Sequence, residues 1–356
     1  MGQNESFLPQ RLLQARKITG YTLRGLSDAL GGNPSHTMLS RYEKGTIEPS
    51  SETLLRIAAI AGVSIDFFYT EPSVSFDEIH FRKRSKLSKT ATHAIEEKSK
   101  DYFSRYFEIE TITNNYSNFN IFYKSYNDQE IENISLELRN KWNLGEEPIN
   151  NLMQTLENNG IKIFIVETDI ELFDGFSGIP NNTPVIVIAS WLQKQNNLPR
   201  MRMSLAHELG HIVLGHCKKN HDEHIECEPH ANRFASSFLM PKESFTKMFG
   251  GKKDKITLSL LLPLKSYFGV SLPAIIMRAF DLDLIGENTK KRFFIYYNKN
   301  GYRQKEPGKY FGKEESSRFE LLVLSAVLNG EISRSKGLNL LGCDPREFNK
   351  KIETTF

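Results

Sequence analysis

The sequence predicts a multidomain chain, mainly α with an α+β centre: an all-α N-terminal bundle, a central α+β domain and a small C-terminal α/β region. Three observations lead there. At 356 residues the chain exceeds one average domain. Apolar residues recur at helical spacing along most of it, and two short β-branched runs interrupt that period near the middle. The boundaries drawn on these shifts are 1–72, 73–129 (a basic linker with connecting helices), 130–285 and 286–356.

Hydrophobic residues make up 39% and charged residues 25%, the balance of a folded globular protein rather than a disordered or membrane chain. The formal net charge of +3 is too small for bulk attraction to nucleic acid, so any such role must come from a local patch. The first residues lack the apolar core of a signal peptide, and no run approaches the roughly 18 apolar residues that span a bilayer. Three cysteines, Cys217, Cys227 and Cys343, have no framework spacing and fit a reducing compartment. A cytoplasmic protein with no membrane partner is the expectation.

Residues 7–70 read as a compact set of short helices. Leu8, Leu12 and Ala15 mark one apolar face; Leu23, Leu26 and Leu30 a second; Leu54, Leu55, Ile57, Ala58 and Ala61 a third. Thr22 is a natural N-cap, and Gly31-Gly32-Asn33-Pro34 breaks the chain before the next helix. Short helices separated by a tight break are the pattern of a helix-turn-helix. Next comes FRKRSKLSK, residues 81–89, with five basic residues and no acid. It reads as a solvated linker, with supplementary phosphate contact as the alternative. The stretch 114–127, rich in Asn, Tyr and Phe, gives no periodicity to assign.

Two amphipathic helices then lead to IKIFIVE and TPVIVIAS, both read as strands. The expectation is that a strand edge pairs with an extended peptide beside the helix that Pro199 opens. In the C-terminal region RFFIYYNKNGY reads as a strand and turn, followed by helices.

The helix after Pro199 carries SLAHELGHIVLGHC, residues 204–217. Positions four apart share a helix face, so His207 and His211 can present imidazole nitrogens to one ion. Glu208 lies about 100° further round, placed to reach a water activated at that ion. A third ligand is required. Six of the nine histidines fall between residues 207 and 230, and Glu228 precedes an apolar-striped helix (HANRFASSFLM) that would aim it at the pair. His230 competes for the place. His216, His221 and His224 read as loop residues, and Cys217 and Cys227, ten apart, do not have the spacing of a zinc knuckle. Two His, one Glu and an open position describe a catalytic zinc site; four protein ligands would describe a structural one.

RMRMSLAHELGHIVLGH followed by ExxANRFASSFLMP resembles the ImmA/IrrE family of zincin metallopeptidases. The likeness extends through LRNKWNLGEEPI, LENNGIKIF and DGFSGIPNNTPVIVI, about residues 135–245. The resemblance implies one Zn2+ per chain held by His207, His211 and Glu228, with Glu208 as general base of a zinc-dependent endopeptidase. Pro229 and His230 depart from the usual form of that motif. Residues 7–70 resemble the XRE (Cro/C1) helix-turn-helix family, in which Arg16 and Glu43 would pair and fix the helices. The turn here is about two residues longer than usual. Docked in a major groove, Ser35, His36, Thr37, Ser40 and Arg41 would meet base edges. Arg41 would bind either a guanine or a phosphate, and Thr22 and Lys44 would contact phosphates. With seven basic and six acidic side chains in residues 1–70, a module for protein contact or dimerisation is the alternative.

Together the readings imply a transcriptional regulator that binds a double-stranded DNA operator, with a homodimer as one candidate state. It would cleave a protein substrate, either a DNA-bound regulator or itself near residues 70–90, during stress or mobile-element induction. The competing hypothesis is an antitoxin-like repressor whose zincin domain only docks a toxin partner.

Overall fold

The computed structural model describes residues 6–71, 87–119, 128–194, 197–215 and 224–355. These form two compact units: one drawn from residues within 1–76, 83–116 and 317–356, the other from residues within 117–316. Most of the basic stretch 81–89 and part of 114–127 lie outside the described residues.

The first unit begins with α1 (Pro9–Thr19), α2 (Leu23–Ala29), α3 (His36–Glu43) and α4 (Ser51–Ala61). Local chemistry sets their ends. Pro9 occupies the first turn of α1, and Thr22, Ser35 and Ser50 cap the next three helices by accepting from the backbone N–H three residues on. Leu12, Ala15, Leu26, Leu39, Leu54, Ile57 and Phe68 are buried in one core. Leu55, read as part of the third apolar face, is instead 56% exposed. Leu54, Ile57, Ala58 and Ala61 keep the i, i+3, i+4, i+7 spacing, and Leu55 falls one helical step outside it.

The long α5 (Lys89–Thr113) packs against α1 and also against α14 (Arg318–Leu328) and α15 (Arg334–Leu341), after which α16 (Pro345–Thr355) ends the described chain. Tyr106, Ile109, Phe319, Val323, Ala326 and Leu340 form the second core of this unit. Arg318 pairs with Glu110, and Lys336 with Glu108. Residues 286–316 and 317–355, grouped as one C-terminal region from the sequence, thus lie in different units.

The second unit contains α6 (Asp128–Lys141), α7 (Leu152–Asn158) and a three-stranded sheet of order β1-β3-β2: β1 (Lys162–Val166), β2 (Gly175–Gly178), β3 (Val185–Ala189). β3 runs parallel to β1 and antiparallel to β2. All five β3 residues are buried, as its continuous β-branched run requires. The predicted strand TPVIVIAS is therefore central and paired on both sides. The strand on the far side of it is β2, which the sequence reading did not assign. Gly175 permits that pairing, because a Cβ there would lie 2.5 Å from the carbonyl oxygen of Val187.

Two central helices, α8 (Leu198–Val213) and α9 (His224–Leu239), pack along each other, and α8 also lies against β2 and β3. Then follow α10 (Lys242–Phe249), α11 (Leu258–Phe268), α12 (Leu272–Asp281) and α13 (Glu287–Lys299). α13 replaces the strand expected from RFFIYYNKNGY. Its aromatic run suits a strand by composition, but Thr289, Phe293 and Tyr297, four apart, are its buried residues, and that spacing belongs to a helix. Among the described residues after 286 every regular element is helical, so the C-terminal region is α and not α/β.

Buried arginines tie this unit together. Arg139 donates to the carbonyls of Gly145, Glu147 and Phe238, and burial pushes its pKa down to about 10. Arg202 on α8 pairs with Glu314, both side chains fully buried, and Arg278 pairs with Glu132 while donating to the Met240 carbonyl. No single helix among the described residues is long and apolar enough to cross a membrane; α11 and α12 together reach that composition but meet at 97°.

Candidate functional site

The centre of the second unit is the middle of α8. Pro199 sits in its first turn, where the missing N–H breaks no helical bond. His207, Glu208 and His211 are all buried. The Nε2 atoms of His207 and His211 face each other at 2.9 Å. The Glu228 carboxylate from α9 comes within 3.3 Å of the first and 3.6 Å of the second. One donor atom from each of these three residues falls within a 4.8 Å cluster. His230 and Cys227 are not part of it.

The helix pair meets closely because residue 210 is glycine: a Cβ there would lie 3.1 Å from Phe234 and 3.2 Å from the backbone of Ala231. Glu228 lies inside α9, which begins at His224 and contains Pro229. The sequence reading started that helix after the proline, since proline removes a backbone donor and usually ends a helix. Here Pro229 is the sixth residue of α9, and the helix continues through it at the loss of one backbone hydrogen bond. His216, His221 and Cys217 lie outside the described residues, and His224 is the first residue of α9 rather than a loop residue.

Two contacts that the sequence reading missed complete the cluster. Ser177 on β2 donates its hydroxyl to Glu208 Oε2 at 2.7 Å, which fixes the orientation of that buried carboxylate. Asn232 Oδ1 lies 2.9 Å from His207 Nδ1; an imidazole protonated at Nδ1 donates there and turns the lone pair of Nε2 toward the cluster. Asn232 follows Glu228 by one helical turn, and that spacing was the available signal. Ser177 had none, because β2 is only four residues long.

The donor set fits a zinc ion. Ligands about 2.0–2.1 Å from a tetrahedral ion stand about 3.3 Å apart, and the three separations of 2.9, 3.3 and 3.6 Å bracket that value. Two imidazole nitrogens 2.9 Å apart beside a carboxylate are also an arrangement that a shared cation stabilises. Two imidazoles with one carboxylate favour zinc over manganese.

In the first unit Arg16 and Glu43 form a two-pronged ion pair, with Nε to Oε1 at 2.6 Å and Nη2 to Oε2 at 2.9 Å. The lengthened turn before α3 is anchored by the Ser27 hydroxyl donating to the Pro34 carbonyl and by Arg56 donating to the carbonyls of Leu30 and Asn33. Thr22, Ser35, His36, Thr37, Arg41 and Lys44 are exposed, and Ser40 is half-buried. Ser35 shares a hydrogen bond with Thr37 and caps α3. Its hydroxyl therefore already has a structural role.

Fold and site define a class: a helix-turn-helix protein whose second unit holds a two-histidine, one-glutamate centre between helices. Comparison with known proteins narrows it. Residues 12–68 match the family described as Helix-turn-helix, and residues 156–280 match the peptidase family described as IrrE N-terminal-like domain. The chain therefore joins a member of the XRE-type helix-turn-helix family to an IrrE/ImmA-like, metallopeptidase-type domain. Over 90 residues it is 32% identical to the HTH-type transcriptional regulator ImmR of Bacillus subtilis (strain 168). That match covers 25% of this chain and 66% of the relative's length.

Proposed function

We propose that this chain is a transcriptional regulator that binds a DNA operator through α3 and hydrolyses a peptide bond in a cytoplasmic regulator protein, or in itself. The observation that carries the reading is the convergence of His207, His211 and Glu228, with Glu208 oriented by Ser177. A zinc ion held there would supply Lewis acidity toward a scissile carbonyl and toward water. Glu208 takes the proton of the attacking water and returns it to the leaving amine. Ser177 orients Glu208, and Asn232 orients His207. The regulator role is supported by the likeness to ImmR and by the exposure of the α3 candidates Ser35, His36, Thr37 and Arg41, with Thr22 and Lys44 as phosphate contacts.

The test is incubation of the purified zinc-loaded chain with DNA-bound regulators from its host, with products identified by mass spectrometry beside Glu208→Gln. The reading expects products, self-cleavage included, from the wild type alone. A Glu208→Gln variant that matches the wild type in the test tube and in the cell would refute hydrolysis and leave the domain as a docking module, as for a toxin partner.

A further inference from the structure

We infer that residues 290–313 form a second nucleic-acid surface, outside the helix-turn-helix and independent of the metal site. This segment carries eight lysines and arginines against one glutamate, whereas the whole chain is only +3. The rest of the chain is therefore net acidic, and this segment is, with 81–89, where basic residues concentrate; Lys290, Lys291 and Lys313 pair with Glu287 and Glu315 just outside it.

The structure separates the one acid from the bases. Glu306 turns inward: it accepts from Lys265 Nζ at 2.6 Å, from the Tyr297 hydroxyl at 2.8 Å and from the Leu272 backbone N–H at 3.2 Å. Lys299, Arg303, Lys305 and Lys309 are exposed and, among the described residues, have no carboxylate within ion-pair distance. The first three fall within seven residues at the C-terminal end of α13. The ring of Tyr302 packs on those of Tyr296 and Tyr297, folding the following chain back onto the helix.

Apolar groups are interleaved with these charges. Ile295 is 68% exposed, Tyr296 45% and Phe311 80%. On α13 Lys291, Ile295 and Lys299 recur every fourth residue, as do Arg292 and Tyr296, so cations and apolar side chains share one outward face. A merely solvated helix face needs no exposed aromatics between its charges. Cations that track a phosphate backbone, with aromatic rings on which bases stack, are the chemistry of sequence-independent nucleic-acid binding. The helix-turn-helix, with nearly balanced charge over residues 1–70, supplies little of that general attraction.

The test uses the full chain and fluorescence anisotropy with a labelled duplex of arbitrary sequence and its single strand, across a salt series. One variant combines Lys299→Gln, Arg303→Gln, Lys305→Gln and Lys309→Gln. With one phosphate per cation, the slope of log affinity against log salt becomes shallower by about 3.6 for the duplex and about 2.8 for the single strand. A second variant, Tyr296→Ser with Phe311→Ser, separates the two sources: at least about fivefold weaker single-strand binding with duplex binding intact identifies stacking on unpaired bases. Loss of neither form in this variant points to phosphate contact without stacking, which still supports the surface. Unchanged slopes in the fourfold variant overturn the inference, as does retention of nucleic-acid binding with loss of binding to phosphatidylserine vesicles. Photocrosslinking of the wild type to a thiothymidine strand needs no variant to fold: crosslinks within 290–313 support the surface, and crosslinks confined to residues 1–70 overturn it.

Discussion

Gly210→Ala tests how the metal cluster is built, because the added methyl would meet α9 at the level of the ligands. Its Cβ would stand 3.1 Å from Phe234 Cδ1 and 3.2 Å from the Ala231 Cα and carbonyl oxygen. Ordinary carbon contacts are about 3.5–4.0 Å. The Phe234 ring can rotate away, but the Ala231 backbone cannot, so α9 must retreat by roughly 0.3 Å or more. Glu228 precedes Ala231 by less than one helical turn and moves with it. Ligand distances tolerate only about 0.2 Å, so zinc affinity should fall about 10- to 100-fold, as when supporting groups are lost. Fold stability changes less. Overpacking costs about 1–3 kcal/mol, and replacing a mid-helix glycine by alanine returns about 1 kcal/mol. Zinc competition against a chelator of known affinity, with calorimetry with and without zinc, separates the two effects. A tenfold loss of affinity removes about 1.4 kcal/mol of the zinc-dependent stabilisation at saturating metal. Unchanged zinc affinity together with a higher melting point would refute the close-approach argument.

Three further outcomes follow from the same geometry. Arg16→Ala leaves Glu43 without its two-pronged partner and should lower stability by about 1–2 kcal/mol; Arg16→Lys should not restore it, since a lysine cannot present two parallel donors. Denaturant melts of the two variants check this, and full rescue by lysine would contradict it. Ser35→Ala should cost about 1 kcal/mol of stability through the lost cap, whereas Arg41→Ala should leave the melt unchanged and weaken operator binding by about 1–3 kcal/mol. Burial raises the Asp281 carboxyl above its ordinary range, against the opposing pull of Arg233 and Arg278. The folded protein thus holds that proton more tightly than the unfolded chain. The stabilisation is complete below the ordinary carboxylate pKa of about 3.9 and is lost as pH rises through the raised value. Asp281→Asn should therefore raise the melting point at pH 7 and not below pH 3.5; the reverse pattern would contradict the shift.

Much of the site was legible because its chemistry is periodic. His207 and His211 share a face by spacing alone, and Arg16 and Glu43 pair as the family resemblance implied. What escaped depends on contacts made across the fold. Ser177 reaches Glu208 from a four-residue strand, 31 positions away in the chain. Glu228 lies within α9 despite Pro229, because the helix starts upstream of the residue that a local rule would make its boundary. The strand part of RFFIYYNKNGY was misread since aromatic content favoured a strand while the four-residue spacing of Phe293 and Tyr297 built a helix to Lys299; the turn after it is present. Residues 318–355 join the first unit through contacts such as Arg318 with Glu110, and no sequence-local signal encodes that long return.

The central claim is that His207, His211 and Glu228 hold one zinc ion at an open site. Elemental analysis of untagged protein, compared with Glu228→Ala and His230→Ala, tests it most directly. The account predicts one zinc per chain in the wild type and in His230→Ala, and loss of the metal in Glu228→Ala. Wild-type protein that stays metal-free under zinc-replete conditions, or metal lost with His230→Ala and kept with Glu228→Ala, would contradict it.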